Sequence, residues 1–359
     1  MRQLEQATQE LQLPRRVPGF QYVVVNAEST LVDCCGGYAE LPLRPMTLDT
    51  TMMAYSMSKT VTASAVLQLV ETGRIGLEDA VSRYVPWQPY GDLVTVRGLL
   101  DHTAGLPNPI PLRWVHPAGE HLLFDEAAAL RTVLSKHSKL ASPPAMRFAY
   151  SNIGYWLVGS LIENVASESF SSYVTNHVFA PLDLNANEMA YVIPDARRHA
   201  SGYLERLSLF NLVKPLLIDS RLIGPSIGRW VSILSHYPNG PSFGGIVGTA
   251  RAFGRFLQDQ LRDRSKLLGE AARARFTEQQ RTARGTIPMT LGWHMGSLGP
   301  NRYFYKEGGG AGFRSMMRLY RSHGIGSVFM ANATKVDVGR TLDHLDGQLV
   351  PVARSSTFY

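Results

Sequence analysis

MAYSMSKTVTASAVLQLVETGRIGLEDAVSRYVP, residues 53–86, decides how the chain is read. Within it, Ser56-Met57-Ser58-Lys59 opens an apolar-patterned helix that stops at Gly73. Residues three apart share a helical face, so the Ser56 hydroxyl and the Lys59 amine meet one turn apart. A serine hydroxyl is a weak nucleophile until a base takes its proton. A lysine is that base only if burial or nearby positive charge lowers its pKa. The helix N-terminus also favours negative charge developing near Ser56. Alone the spacing is a weak signal, because serine caps helices and lysine is a common surface residue.

Two further clusters follow at a distance. Tyr150-Ser151-Asn152 lies where ASPPAMRFAY turns into the helix NIGYWLVGSLI. A tyrosine hydroxyl there could relay a proton, and an asparagine could hold a lysine amine or a substrate amide. The plainer alternative is a helix cap at Ser151 or Asn152. Lys306-Glu307-Gly308-Gly309 follows the strand-like RYFY. Positions 306 and 308 share a strand face, so Lys306 could set a positive charge over a cleft. The missing side chains at Gly308 and Gly309 let a substrate lie against backbone. The N–H groups of Gly309 and Ser56 would then receive an oxyanion. The rival readings are a phosphate-cradling loop or a flexible turn; G-x-G-x-x-G fails because position 313 is Phe.

One motif points elsewhere. Gly224-Pro225-Ser226-Ile227-Gly228 matches G-x-S-x-G, which needs a buried strand before the serine and a helix after it. An acid and a histidine must also follow; Asp259 or Asp263 with His294 or His323 fill those places only by assumption. The ten histidines contain no H-E-x-x-H, and His116 and His121 are five apart in a Pro-Gly loop, so no metal site is read.

The rest of the chain bounds the answer. Its 359 residues are 45% hydrophobic and 18% charged, enough for a large core and too apolar for disorder. The net charge of +7 is spread as Arg15-Arg16, Arg197-Arg198 and looser clusters. It forms no aromatic-interleaved stripe, so nucleic acid is not an expected partner. The opening MRQLEQATQELQLP lacks a signal-peptide core, no run suits a membrane span, and cytoplasmic is the expected location. Cys34 and Cys35 are adjacent and read as small apolar residues in a strand of a protein from a reducing compartment.

Helices are expected over 2–12, 124–136, 152–178, 249–262, 268–281 and 336–348. Strands are expected over 20–26 and 29–41, and in LGWHMGSL, RYFYKEGGG, FRSMMRLYR and IGSVFMAN. Strands at both ends and helices between them predict an α+β fold, one sheet built from both termini with a mostly helical insertion. The domains expected are 1–75 with 240–359, and 76–239. The apolar, irregular stretch 203–236 reads as a lid.

Taken together, in order and spacing, these motifs resemble the serine β-lactamase and penicillin-binding-protein superfamily. The similarity is to its class C branch, which includes family VIII carboxylesterases and D-amino-acid peptidases. VTVRGLLDHTAGLP, MRFAYSNIGYWLVGSLIENV, FAPLDLNAN, GGIVGTARAFGRFLQ and GGGAGFRSMM carry the resemblance over most of the chain. It implies an antiparallel sheet flanked by helices, with the site between sheet and helical lobe and no cofactor or metal. It implies Ser56 as acylated nucleophile, Lys59 as its base partner and Tyr150 as proton relay. Asn152 would orient Lys59 and substrate, and Lys306 falls at the lysine or histidine of the third motif.

Two positions depart from the pattern. The residue after the third-motif lysine is usually Thr or Ser, which helps hold a substrate carboxylate; here it is Glu307. A carboxylate there repels an anionic substrate or points to the strand's far face. This favours neutral esters or amides over β-lactams and peptidoglycan. An Asp is often found where Ala252 or Phe253 stands, a change read as helix capping. The expected activity is a serine hydrolase, a carboxylesterase first, on a small-molecule ester or amide. The alternatives are a β-lactamase, a D-amino-acid peptidase or amidase, an acyltransferase using the same residues, or a scaffold. The sequence sets no oligomeric state.

Overall fold

The computed structural model describes residues 16–109, 114–206 and 219–350. The expected helix at 2–12 and the middle of 203–236 lie outside them. A seven-stranded sheet organises the rest. Its strands are β1 (Gly19–Val25), β2 (Thr30–Glu40), β3 (Arg44–Pro45), β4 (His294–Leu298), β5 (Asn301–Gly310), β6 (Phe313–Tyr320) and β7 (Ile325–Ala331). The order is β4–β5–β6–β7–β1–β2–β3, antiparallel throughout. The two ends of the chain meet where β1 pairs with β7, Phe20 opposite Ala331 and Val25 opposite Gly326. β1 reads GFQYVVV and is buried along its whole length, as a continuous apolar run predicts for a central strand.

The longer helices are α1 (Ser58–Glu71), α2 (Glu126–Lys136), α3 (Asn152–Ala166), α4 (Ala250–Leu261), α5 (Glu270–Thr277) and α6 (Val338–Asp346), of which α4 and α6 pack on the two sheet faces. On one face Gly254 of α4 sits over Val23 and Val25, where an added Cβ would come within 3.2 Å of both. On the other face the buried Asp346 of α6 accepts from Tyr22 Oη, Tyr320 Oη and Ser327 Oγ, each at 2.9 Å. This is an α+β, β-lactamase-like fold.

α1 is buried on every side from Ser58 to Leu67. A helix with no solvent face must satisfy its own polar groups. Thr60 Oγ1 donates to Gly292 O at 2.9 Å, and Thr62 Oγ1 to Ser242 O at 2.8 Å. Its fixed position matters because the Ser56 turn leads directly into it.

Three readings change. The run 152–178 is not one helix: α3 ends at Ser167, which takes φ 60°, and a short helix Phe170–Val174 follows. α5 stops at Thr277, and Arg281–Thr282 instead pairs with Gly285–Thr286. The described part of 203–236 is not irregular. Strands Gly202–Glu205, Ile223–Ile227 and Trp230–Ile233 form a three-stranded antiparallel sheet. Gly224, Pro225 and Gly228 interrupt the alternation that would have shown it. Tyr203 ties this sheet down: its hydroxyl accepts from Leu41 N at 2.7 Å and its N–H donates to Gly312 O at 3.1 Å. Among the described residues no helix is long and apolar enough to cross a membrane.

Candidate active site

Ser56 lies on a single 3₁₀ turn, Tyr55–Met57, that runs into α1. Tyr55 has φ 46°, a left-handed conformation that costs a non-glycine residue of order 1–3 kcal/mol. Its buried surroundings hold it there. The Tyr55 hydroxyl lies 2.7 Å from His236 Nε2 and 2.9 Å from Ala311 O. Ala54 is pinned on both sides, its N–H donating to Ile246 O at 2.9 Å and its carbonyl accepting from Ser315 Oγ at 3.2 Å.

The four expected polar residues of the first two motifs converge. Lys59 Nζ lies 2.9 Å from Ser56 Oγ, and Tyr150 Oη donates to the same oxygen at 2.8 Å. Lys59 Nζ also donates to Asn152 Oδ1 at 2.8 Å and to Phe243 O at 2.7 Å. The capping alternative holds as well: Ser151 Oγ accepts from Gly154 N at the start of α3, which leaves Asn152 free to reach the amine. Burial, and then the positive charge of Lys306, holds the Lys59 amine well below the ordinary lysine range. Burial raises the Tyr150 phenol, so it keeps its proton.

Lys306 and Gly308 point from β5 toward this cluster and are both buried. The Lys306 amine lies 5.5 Å from the Tyr150 ring centre and 3.4 Å from His294 Nε2. Burial alone lowers it to about 7. β4 pairs only with residues 301–305 of β5, so residues 306–310 keep an open edge. Gly310 and Phe313 flank a two-residue hairpin connection. Alternation along an antiparallel ladder then turns the Gly309 N–H away from β6, to that open edge. The glycines are needed for close approach. A Cβ at Gly308 would stand 1.9 Å from Ala54 O, and one at Gly310 would stand 2.3 Å from the Tyr55 ring.

Glu307 takes the far face of β5, the second of the two outcomes its position allowed. There it pairs with Arg314 Nη2 at 2.6 Å, across the ladder from Gly309. Its charge is therefore paired, and what reaches the cluster adds to burial in keeping the Tyr150 phenol protonated.

The Ser226 alternative fails on structure. Ser226 is an exposed residue of a strand that leads into a turn and another strand, with no helix behind it. Asp259 is buried and already accepts from Lys266 N at 2.6 Å. His294 stands instead beside Lys306 in the Ser56 cluster. His116 and His121 hydrogen-bond each other at 2.9 Å, and among the described residues no group of three or more ligands could hold a metal.

Several neighbours escaped the sequence reading. The Phe243 acceptor is a main-chain carbonyl and leaves no residue-type signal. His294 was visible as a histidine but sits 238 residues from Ser56 in the chain, and only the β4–β5 pairing brings it in. His102 packs against Tyr150 with ring centres 4.4 Å apart; its place in DHTAGLP was the available clue.

A fold of this topology with a Ser-Lys-Tyr cluster between sheet and helices defines the β-lactamase-like class. A model of the Beta-lactamase family matches residues 1–349, and the chain belongs to that family. Protein flp of Staphylococcus aureus (strain MW2) is 23% identical over 354 residues, 95% of this chain and 65% of that protein. Penicillin-binding protein 4* of Bacillus subtilis (strain 168) is 26% identical over 303 residues, 82% of this chain and 64% of its own length. The chain spans 38% to 65% of the length of the curated relatives it matches. Among solved structures, D-amino acid amidase from Ochrobactrum anthropi SV3 complexed with L-phenylalanine aligns with a TM-score of 0.81. It is 20% identical, over 97% of this chain and 99% of that one. D-alanine carboxypeptidase AmpC from Burkholderia cenocepacia aligns with a TM-score of 0.73 at 19% identity, over 96% and 99% of the two chains. These likenesses carry the fold.

Proposed function

We propose that the protein is a serine hydrolase that works through an acyl-enzyme on Ser56, with carboxylic esters its preferred substrates. The observation that carries this is the Ser56 oxygen held between the Lys59 amine at 2.9 Å and the Tyr150 hydroxyl at 2.8 Å. A lysine held below its ordinary range is neutral enough to take the serine proton. Ser56 Oγ attacks the carbonyl carbon as its proton passes to Lys59. The N–H groups of Ser56 and Gly309 receive the oxyanion. Tyr150, whose phenol stays protonated, delivers its proton to the leaving oxygen and is reprotonated from Lys59. Water then attacks the ester on Ser56 and gives up a proton to the same pair, which returns it to Ser56 Oγ as the acyl–oxygen bond breaks and the acid leaves.

The ester preference rests on position 307. Glu307 is engaged by Arg314 on the far face of β5, so position 307 offers the cleft no hydroxyl for a substrate carboxylate. Amide hydrolysis is the second reading, favoured by the likeness to a D-amino acid amidase. The test is turnover of p-nitrophenyl acetate and butyrate set against D-phenylalanine amide and nitrocefin, by the wild type and Ser56→Ala. Ester turnover that survives Ser56→Ala overturns the mechanism. Amide or β-lactam turnover exceeding ester turnover overturns the substrate preference only.

A further inference from the structure

A second cavity, of about 240 Å³, shares the 239–245 segment with the Ser56 cluster but is lined by none of Ser56, Lys59, Tyr150 or Asn152. Its walls are aromatic. His116 stacks on Phe124 with centres 3.9 Å apart, and His121 lies 4.2 Å from Tyr237. Both nitrogens of His116 are engaged, Nδ1 with Asn239 Oδ1 and Nε2 with His121 Nδ1, each at 2.9 Å.

One buried oxygen at the cavity is unsatisfied, and one carboxylate oxygen there is open to a partner. Glu126 opens α2, where Asp125 already caps the helix, and its Oε1 accepts from Trp156 Nε1 at 3.0 Å. Its second carboxylate oxygen has no partner among the described residues. Tyr191 is 7% exposed, and its buried hydroxyl also has no partner. A buried polar group without a hydrogen bond costs about 1–3 kcal/mol, so Tyr191 Oη favours a ligand that reaches it, and the open oxygen of half-buried Glu126 favours one that brings donors. An ammonium group brings three donors and no acceptor. Aromatic faces within about 6 Å attract it further.

The geometry points to this cavity as a binding site for a small primary ammonium compound with an apolar body. The ammonium would sit on Glu126 and Tyr191, and the apolar body among Phe124, His121 and Tyr237. Nothing in this depends on the chemistry at Ser56.

The electrostatics give the site a signature. Burial, with Glu163 of α3 second, raises the Glu126 carboxyl to about 8, against the bond from Trp156. The histidines lining the cavity, His116 and His121, are held below their usual range by burial and so stay neutral above pH 6.5, and burial raises the Tyr237 phenol so that it keeps its proton. Burial and the Glu126 charge keep Tyr191 protonated. Between pH 6.5 and 8.5 Glu126 is therefore the group here that changes charge. An ammonium ligand binds the ionised form, so its affinity rises with pH across that window.

The test is calorimetric titration of the full chain with 2-phenylethylammonium chloride and its neutral isostere 2-phenylethanol, at pH 6.5 and 8.5. The ammonium compound is expected to bind one to one, and about tenfold or more tightly at the higher pH. Glu126→Gln is expected to weaken binding about tenfold at pH 8.5 and to flatten the pH dependence. Tyr191→Phe removes only the hydroxyl and is expected to weaken it several-fold. If Glu126→Gln does not fold, Tyr191→Phe and the alcohol comparison decide. Absence of saturable binding, equal affinity for the alcohol, or unchanged affinity in a folded Glu126→Gln protein overturns the proposal.

Discussion

Replacing Gly308 with alanine adds one methyl group at the tightest contact of the candidate site. The new Cβ would lie 1.9 Å from Ala54 O and 2.7 Å from Ser315 Oγ. Neither neighbour yields easily, since the Ala54 carbonyl accepts from Ser315 and its residue precedes the constrained Tyr55. Relief to 3.0 Å requires β5 to recede by about 1.1 Å from the turn that carries Ser56. A displacement of about 1 Å in a reacting geometry costs roughly 10²-fold in rate. Forced overpacking costs about 1–3 kcal/mol of stability. Gly309→Ala is the internal control, because its Cβ meets the end of the Arg314 side chain, with Nη1 at 2.4 Å, and a half-exposed guanidinium can swing aside. It keeps the backbone N–H and is expected to lose less than about tenfold. The assay is kcat/KM for p-nitrophenyl butyrate, with urea denaturation to separate folding from rate. Gly308→Ala activity within threefold of wild type, or a greater loss in Gly309→Ala, would refute this account of the β5 edge.

Other outcomes follow from the same geometry. Tyr150→Phe keeps the ring over Lys59 and Lys306 but loses the proton at Ser56 Oγ, so kcat/KM falls about 10²–10⁴-fold. The loss should be larger for an alkyl ester than for a p-nitrophenyl ester, whose leaving group needs less protonation; equal losses contradict the acid role. Lys306→Met bears on stability. The native amine is depressed to about 7 from 10.5, so the unfolded chain binds the extra proton between those values. The cost of burying it is full below pH 7 and gone above about 10.5. The variant should therefore exceed wild-type stability at pH 6 by a margin that shrinks toward pH 10, read by denaturant titration; a margin that grows contradicts it. Removing the Lys306 charge also lets Lys59 hold its proton to higher pH, so the acid limb of the kcat/KM profile should move up.

Local signals carried much of the fold because each depends on neighbours in the chain. The buried run of β1, the glycine stop at Gly73 and the amphipathic α4 all read directly from spacing. The 203–236 segment did not, since its strands are held by contacts as remote as Tyr203 with Leu41 and Gly312. The site divides in the same way. Ser56 and Lys59 sit three residues apart, and local periodicity joins them. Tyr150 and Asn152 were legible as motifs, but their meeting with Lys59 depends on how α1 packs on α3. Glu307 shows the limit most clearly. Alternation sets it on the face opposite Lys306 and Gly308, but its partner is remote from the motif, and only the placement of Arg314 shows what pairs with its charge.

The central claim is that Ser56 is the nucleophile. Labelling with a fluorophosphonate, followed by intact mass measurement and peptide mapping, tests it most directly. The account predicts one adduct per chain on the peptide carrying Ser56, absent from Ser56→Ala and slowed in Lys59→Met. An adduct on Ser226, or one that persists at full stoichiometry in Ser56→Ala, would contradict it.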